Sequence, residues 1–328
     1  MKYLLIGGAG VFAVHLAKYL LEKDETELVV CVGRNKPRNR AFTLDVGLND
    51  KRYKFELAHI NFEFDILTET LKKYKPDYVI NFAALAYATS WNKSFRYYDT
   101  NCTSVARICE YLSYTNYLKQ FLQIGTSELY GSVNKPVDEN YAPNPTSPYA
   151  ISKLAADMHV LSMFNALKFP GNVIRPSNCY GPGQLMYRII PKAIYYSIKG
   201  YQFPLEGGGI VKKSFMHARD LARAIDLILH GKHLGKVYNA GVKKPVSMKK
   251  IVESIAEVAK IDPKSFIKET VARNNEDNQY WLDSSLMKKD FGWEPEIPLN
   301  EGIRDCFYWV KNNMSLIESE MDNFVLRA

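Results

Sequence analysis

The sequence has few of the features that mark metal-binding, secreted or membrane-spanning proteins. Its five cysteines form no C-x-x-C pair and its six histidines show no zinc spacing, so we expect reduced thiols, a cytoplasmic protein and no metal site. No stretch approaches the roughly 18 apolar residues of a membrane helix, so we expect no membrane association. The apolar start "MKYLLIGGAGVFAVHL" is interrupted by glycines and lacks a clear cleavage site, so we do not interpret it as a signal peptide.

The positive charge of the chain is not concentrated in one segment. The net charge is +8 at pH 7, but the lysines are spread along the sequence rather than gathered on one helix with interleaved aromatic residues. We therefore expect no nucleic acid partner, since an anionic small molecule suits a basic protein equally well. The hydrophobic content of 47% is typical of a globular protein with a substantial core.

Short apolar runs alternate with amphipathic helical patterns in the first half of the chain. Patterns typical of helices cover residues 11–21 and 103–114, and runs typical of buried strands cover residues 2–6, 27–33, 76–84 and 118–126. This alternation predicts an α/β fold with a doubly wound parallel sheet of the Rossmann type. In such folds ligands bind at the carboxyl ends of the strands.

From residue 173 the pattern becomes irregular and rich in proline and glycine, as in "IRPSNCYGPGQ" and "FPLEGGG". This change predicts a smaller C-terminal lobe that is partly interleaved with the first. We place the dinucleotide-binding domain at residues 1–172, with a returning segment near 215–242. The substrate lobe then comprises residues 173–214 and 243–328.

The segment "GGAGVFA" directly follows the first strand and opens a helix. Gly7 permits a tight turn, Gly10 lets the backbone approach a pyrophosphate at the helix N-terminus, and Ala13 stands where a third small residue keeps helix and sheet close. We therefore assign Gly7, Gly10, Val11 and Phe12 to a dinucleotide cofactor.

The end of the second strand reads "VGRNKPRNR" and has no carboxylate. An NAD site usually carries an acid there to bind the adenosine ribose. Arg34, helped by Arg38 or Arg40, suits a 2′-phosphate better, so NADP is slightly favoured over NAD. The alternative at this point is a solvated basic loop.

A Tyr-x-x-x-Lys pair stands in "SPYAISK", at Tyr149 and Lys153. The spacing alone is weak evidence, because it recurs at Tyr19/Lys23 and Tyr195/Lys199. The residues expected to lie near the pair at Tyr149 and Lys153 distinguish it from the other two pairs.

The segment "GTSELYG" places Thr126, Ser127 and Glu128 at the carboxyl end of the strand over 118–126. A hydroxyl, a carboxylate, a tyrosine and a lysine would then converge beside a nicotinamide. The pair at Tyr149 is therefore the one we interpret as catalytic.

The motifs together resemble the extended short-chain dehydrogenase/reductase family, specifically the nucleotide-sugar 4,6-dehydratases. The matching pieces follow the family's order: "GGAGVFA", "NFAA", "TSELYG", "SPYAISK", "RPSNCYGPGQ" with "IIPKAI", "KKSFMHARDLARAI" and "DFGWEPEIPLNEGIRDCFYWV". The "RPSNCYGPGQ" stretch is similar to the dTDP-glucose dehydratase branch, and "TSE" to the GDP-mannose branch. The resemblance implies a tightly held NAD(P), a nucleoside-diphosphate sugar as ligand, and a redox-neutral elimination of water.

The resemblance also implies roles for the catalytic residues. Tyr149, as phenolate, would take the proton of the sugar C4 hydroxyl, which requires its anion to be favoured by about 3 pKa units, or ~4 kcal/mol. Lys153 would supply that field and bind the cofactor ribose, and Thr126 would bind the C4 oxygen. Glu128 would remove the C5 proton as water leaves from C6. Ser127 is no acid at neutral pH, so either Glu128 or a water would protonate the leaving hydroxyl.

Further residues are assigned by resemblance alone. They are His59, Ile60, Ala83 and Ala84 for the cofactor, with Tyr149 and Lys153, and Tyr87, Asn178 and Lys213 for the nucleotide-sugar. His59 stands where the family has an acid that contacts adenine. Lys213 stands where the family has an arginine for the phosphates. We also expect a homodimer, in which the helix starting at Ser147 and the helix over 103–114 pair across a two-fold axis.

Two kinds of alternative stay open at this point. One is a different reaction on the same scaffold: 4-epimerisation, decarboxylation or simple C4 oxidation. The other is a non-catalytic dinucleotide-binding sensor, although such a protein would be expected to lose Tyr149, Lys153 or Glu128, and all three are present.

Overall fold

The computed structural model describes residues 1–86, 91–271 and 279–321. Within these residues, seven strands form one parallel sheet in the order β11-β6-β5-β4-β1-β2-β3, and short two-stranded pairings join β10 to β7, β12 to β9 and β13 to β8. The strands are β1 (Lys2–Ile6), β2 (Leu28–Gly33), β3 (Tyr53–Leu57), β4 (Tyr78–Asn81), β5 (Gln120–Ile124), β6 (Gly171–Pro176), β7 (Asn178–Tyr180), β8 (Phe203–Glu206), β9 (Lys212–Lys213), β10 (Phe215–His217), β11 (Val237–Ala240), β12 (Val246–Ser247) and β13 (Ile267–Thr270).

Helices cover both faces of the large sheet and build the C-terminal lobe. They are α1 (Val11–Leu21), α2 (Arg40–Thr43), α3 (Phe64–Tyr74), α4 (Phe95–Tyr98), α5 (Ser104–Ser113), α6 (Pro148–Leu167), α7 (Ile189–Lys199), α8 (Ala218–His230), α9 (Met248–Ala259), α10 (Pro263–Phe266), α11 (Ser285–Phe291), α12 (Leu299–Asn312) and α13 (Met314–Met321). A π-turn, Asp99–Thr103, joins α4 to α5, and 3-10 turns cover Ser127–Tyr130 and Gly207–Gly209. No helix in the described ranges is long and apolar enough to cross a membrane.

The core has separate clusters on the two faces of the sheet. On one face, side chains of β1 and β2 pack against α1 and α8, and on the other face β1, β2 and β4 pack against α3, α5 and α6. A third cluster lies in the C-terminal lobe among α7, α9 and α12. Because both faces of the sheet are covered, its central strands are apolar in continuous runs rather than in alternation.

Helix α6 carries the tyrosine and lysine of interest, and its start is well specified by the sequence. The Ser147 side chain accepts a hydrogen bond from the backbone N–H of Ala150 at 3.2 Å, and Pro148 occupies the first helical position. Both are strong signals for a helix N-terminus. The position of Tyr149 in the first turn is therefore fixed locally.

The doubly wound parallel sheet predicted from the sequence is confirmed, with three strands beyond those that the apolar runs indicated. Strand β3 is a half-exposed edge strand, and β6 and β11 lie in the proline- and glycine-rich part of the chain. The domain boundary expected at residue 172 falls inside β6, so residues up to Pro176 belong to the large sheet. The returning segment near 215–242 contains α8 and β11, and β11 pairs with β6.

Candidate active site

The segment after β5 turns sharply at the carboxyl edge of the sheet. Thr126 is extended and caps the 3-10 turn Ser127–Tyr130, because its hydroxyl accepts a hydrogen bond from the backbone N–H of Glu128 at 3.2 Å. Thr126 and Ser127 are buried, and Glu128 is half-buried. The turn thus holds the threonine hydroxyl and the glutamate carboxylate at the end of β5.

Tyr149 lies beside this turn. The Thr126 hydroxyl hydrogen-bonds to the phenol, which favours the phenolate. Burial is the largest influence and raises the pKa of Tyr149 well above its usual range, and the negative charge of Glu128 raises it further. The threonine, the glutamate and the tyrosine are therefore in electrostatic contact, and a phenolate here needs a nearby cation.

Lys153 supplies a cation one helical turn after Tyr149. Its side chain is 2% exposed, and its ammonium donates a hydrogen bond to the backbone carbonyl of Ile124, the last residue of β5. Burial lowers the pKa of Lys153 to about 8, against the opposing effect of Asp157. The lysine is therefore mainly protonated at neutral pH and close to its titration range.

The other two Tyr-x-x-x-Lys pairs are engaged in structural contacts. Lys23 forms an ion pair with Asp226 and lies 5.0 Å from the centre of the Tyr19 ring. Lys199 pairs with Glu318 at 2.6 Å, and Tyr195 donates to the same glutamate at 3.1 Å. Both lysines are therefore held by carboxylates rather than by the end of β5.

The turn after β1 can receive a dinucleotide. Gly7 has a φ of +82°, and a Cβ atom there would lie 2.6 Å from the backbone nitrogen of Ala83. Gly10 precedes α1, and neither a side-chain cap nor an acidic residue occupies the first turn of that described helix. The N–H groups of the Val11–Phe12 turn are thus available to an anion, which suits a pyrophosphate. Ala84, next to Ala83, is exposed at the same edge.

The segment after β2, where the sequence predicts contacts to the adenosine end of the cofactor, is basic. Arg34 is exposed directly after β2 and contributes, after burial, to the lowered pKa of His59. Ile60 is buried beside His59. Arg38, expected as a possible helper of Arg34, instead donates to Glu320 of α13 at 2.9 Å.

Two of the predicted substrate residues come close together in the second lobe. Asn178 lies on β7, in register with Phe215 of β10, and Lys213 lies two residues before that phenylalanine. The Lys213 ammonium is 5.8 Å from the ring centre of Tyr280. The third predicted residue, Tyr87, lies outside the described residues.

The sequence interpretation missed three residues of this region. Asn101, in the π-turn, bonds to both backbone groups of Leu85 and donates to Ser152 at 3.0 Å, so it ties the loop after β4 to α6. Arg188, just before α7, acts electrostatically on Tyr149. The third, Asp157, is fully buried beneath Lys153. The basic residue preceding "IIPKAI" was a possible signal for Arg188, but no local pattern indicates the other two.

Comparison with known proteins identifies the family. The chain matches the family model described as GDP-mannose 4,6 dehydratase over residues 4–306. The dTDP-D-glucose 4,6-dehydratase of Homo sapiens is 27% identical over 322 residues, covering 95% of this chain and 90% of the human protein. A trifunctional UDP-glucose 4,6-dehydratase/UDP-4-keto-6-deoxy-D-glucose 3,5-epimerase/UDP-4-keto-L-rhamnose-reductase of Arabidopsis thaliana is 27% identical over 94% of this chain. That match covers 47% of the plant protein, so the chain spans about half the length of this relative.

A solved structure supports the same conclusion. The dTDP-glucose 4,6-dehydratase of Bacillus anthracis, in complex with NAD, superposes with a TM-score of 0.88 at 27% identity, covering 97% of this chain and 99% of that one. The resemblance to nucleotide-sugar 4,6-dehydratases of the extended short-chain dehydrogenase/reductase type is therefore confirmed. The chain belongs to the family described as GDP-mannose 4,6 dehydratase.

Proposed function

We propose that this protein is an NAD(P)-dependent nucleoside-diphosphate-sugar 4,6-dehydratase. One observation supports this proposal most directly: Thr126 and Glu128 both act on the Tyr149 phenol at the carboxyl edge of the sheet, and the buried Lys153 ammonium bonds to the last residue of β5. A simple oxidoreductase needs the hydroxyl, the phenol and the lysine, whereas elimination also needs a carboxylate on the reacting face. We assign that role to Glu128.

Each side chain then has a physical task. Tyr149 takes the C4 hydroxyl proton, and Thr126 and Arg188 favour its phenolate against the opposing effects of burial and of Glu128. We assign Lys153, one helical turn further on, to the same task. A nicotinamide bound at this edge would supply the hydride acceptor for C4 and the hydride donor for C6. Between these steps Glu128 removes the C5 proton, which the adjacent 4-ketone has made acidic, and the C6 hydroxyl leaves as water. Buried Ser127 cannot protonate that hydroxyl at neutral pH, so the proton comes from Glu128 or through a water.

For the cofactor, we propose a slight preference for NADP. Arg34 is exposed after β2, where NAD sites usually carry an acid, and its positive charge reaches His59. Arg38 is paired with Glu320, so Arg34 and Arg40 are the cations proposed to meet a 2′-phosphate. The structure of the Bacillus anthracis relative contains NAD, so the functional test includes both NAD and NADP.

We further propose that residues 173–214 and 243–328 bind the nucleotide-sugar, with Asn178, Lys213 and Tyr87 among its contacts.

We also propose that the protein is a homodimer and that it is located in the cytoplasm. The homodimer is supported by exposed apolar residues on or just after α5 and α6, such as Met158 at 59% and Tyr114 at 85%. The location is supported by the five cysteines, which are all free. A monomeric mass by light scattering at micromolar concentration would count against the dimer.

The function is tested by incubating the protein with a panel of dTDP-, GDP-, UDP- and CDP-sugars and either cofactor, and measuring product masses. A 4,6-dehydratase gives a product that has lost one water. Loss of carbon dioxide would identify a decarboxylase, and an unchanged mass with altered coupling constants an epimerase. Loss of two hydrogens alone would identify a C4 dehydrogenase, and no turnover of any sugar would leave the cofactor-binding sensor.

A further inference from the structure

A buried carboxylate lies one turn beyond the candidate catalytic lysine. Asp157 follows Lys153 by four positions on α6, which places both residues on one face of the helix. Asp157 is 0% exposed and Lys153 is 2% exposed. A carboxylate so deeply buried needs a charged partner, and the neighbours of Asp157 provide one.

Arg175 of β6 fixes one oxygen of this carboxylate. Its Nε donates to Asp157 Oδ2 at 2.9 Å, and its other guanidinium arm donates to the Tyr130 hydroxyl at 2.8 Å. The tyrosine in turn donates to the amide oxygen of Asn239 on β11 at 3.0 Å. This chain of buried hydrogen bonds runs from the segment that carries Thr126 and Glu128 to the far edge of the sheet.

The second carboxylate oxygen of Asp157 is left without a hydrogen-bond partner by the part of the chain that the structure describes. Asp157 Oδ1 is buried and, among the described residues, accepts no hydrogen bond. A Cβ atom on Gly125 would lie 3.0 Å and 3.1 Å from the two carboxylate oxygens, so the glycine leaves just enough room for them. Gly125 directly follows Ile124, whose carbonyl receives the Lys153 ammonium. The carboxylate and the ammonium therefore adjoin consecutive residues at the end of β5.

The charges around this pair are few. Arg175 faces it from β6, Tyr130 and Glu128 from the 3-10 turn, and Tyr149 from the start of α6 itself. Arg188, just before α7, acts electrostatically on Tyr149. The π-turn and α5 face the helix with neutral Asn101 at Ser152 and with Glu110, which acts on His159. Asp157 is the charged group whose field opposes the effect of burial on Lys153.

We propose that Asp157 is a positioning residue of this site: its carboxylate, fixed by Arg175, is the buried counter-charge that acts on the Lys153 ammonium from one helical turn away. This inference rests on the proposed function only for its kinetic consequence. Its electrostatic consequence concerns Lys153 alone and is independent of the reaction.

Removing this charge should shift two titrations in the same direction. Without Asp157, the ammonium loses its counter-charge, so the pKa of Lys153 falls below its value of about 8. Burial and Glu128 are the main causes that raise the pKa of Tyr149, and Asp157 adds to them, so that pKa falls as well. The limbs of the pH profile report the titrations of this pair, so both limbs should move to lower pH. One opposite charge at this range is worth about 1 pKa unit or more.

The test uses Asp157→Asn and, as a second route, the double variant Asp157→Asn/Arg175→Met. The double variant removes both charges of the buried pair, so that no uncompensated charge stays buried. In protein labelled with 13C-lysine, the Lys153 signal is assigned by its disappearance in Lys153→Met, and its titration is followed by NMR. The pH profile is measured with whichever nucleotide-sugar is turned over.

Two matched variants distinguish the effect of losing the Asp157 charge from the effect of disturbing the structure. Arg175→Lys keeps the charge of the pair and should leave the Lys153 midpoint in place. Asp226→Asn removes another buried carboxylate that is paired with a lysine, on α8, and should leave both limbs of the profile in place.

The expected result is a Lys153 midpoint lowered by about 1 unit or more in Asp157→Asn, and by less in the double variant because it also loses the Arg175 cation, with both limbs displaced to lower pH. A Lys153 midpoint that stays at its wild-type value in both variants overturns the proposal, even if activity falls. If no nucleotide-sugar is turned over, the dehydratase assignment fails, and the NMR titration still decides the role of Asp157.

Discussion

The buried ammonium of Lys153 should make the folded protein less stable than it would be with a neutral side chain at this position. We predict that Lys153→Met raises the free energy of unfolding at pH 7 while it abolishes turnover. The structure supplies the magnitude: the lysine is 2% exposed, and burial lowers its pKa from 10.5 to about 8. A difference of 2.5 units, the former value minus the latter, corresponds to about 3 kcal/mol at 1.36 kcal/mol per unit. Loss of the hydrogen bond to Ile124 offsets about 1 kcal/mol of this.

The pH dependence identifies the cause. The folded-state pKa of Lys153 lies below its unfolded value, so between about 8 and 10.5 the unfolded chain binds more protons and the wild type becomes more stable as pH rises. Below pH 8 the wild type bears the full penalty. The advantage of Lys153→Met should therefore be largest at pH 7 and shrink steadily above pH 8.

The assay is urea denaturation of both proteins, stripped of nucleotide, across this pH range. Lys199→Met is the matched control, because Lys199 belongs to another Tyr-x-x-x-Lys pair and is held by Glu318 at the surface. Its effect on stability should be small and should not follow the pH dependence of Lys153→Met. If Lys153→Met is less stable than the wild type at every pH, or if the difference does not change with pH, then Lys153 is not a destabilised buried cation and the reasoning fails.

Three further predictions concern the reaction and the cofactor. Tyr149→Phe should fold and bind cofactor but lower kcat by about 10²- to 10⁴-fold or more, since it removes the base, whereas Tyr195→Phe should keep normal turnover; near-normal kcat in Tyr149→Phe would exclude the tyrosine. Glu128→Gln should still oxidise C4 but not eliminate water, so a persistent reduced-nicotinamide absorbance and a 4-keto sugar with its C6 hydroxyl are expected; elimination at the normal rate would exclude Glu128 as the base. Arg34→Ala should weaken NADP binding by about 10-fold or more in calorimetry and leave NAD binding unchanged, because it removes a charge-assisted contact to the 2′-phosphate. Equal losses for both cofactors would refute this assignment.

The sequence was most informative where a signal is local. The glycine turn before α1 and the Ser147–Pro148 start of α6 are specified by neighbouring residues, and both elements begin where the pattern indicates. Strand β3 was less visible because a half-exposed edge strand has no continuous apolar run. The boundary expected at residue 172 falls within β6, because proline and glycine surround this strand and hide its apolar run.

The candidate site was partly predictable for the same reason. Thr126, Glu128, Tyr149 and Lys153 lie in short motifs whose positions at the carboxyl edge follow from the fold. The partners that hold them depend on contacts between distant parts of the chain, such as Asp157 with Arg175 across 18 positions. The pairing of Arg38 with Glu320 spans 282 positions, and nothing in the basic loop indicates it.

In the proposed reaction the sugar undergoes internal oxidation, elimination and reduction. An accepted nucleotide-sugar that carries deuterium at C4, mixed with unlabelled substrate, distinguishes this reaction from its alternatives. We expect a product that has lost one water and carries the deuterium at C6, transferred within the same molecule. Deuterium retained at C4 in a sugar of unchanged mass would show epimerisation, and deuterium lost to the cofactor would show simple oxidation. Either result would contradict the dehydratase assignment.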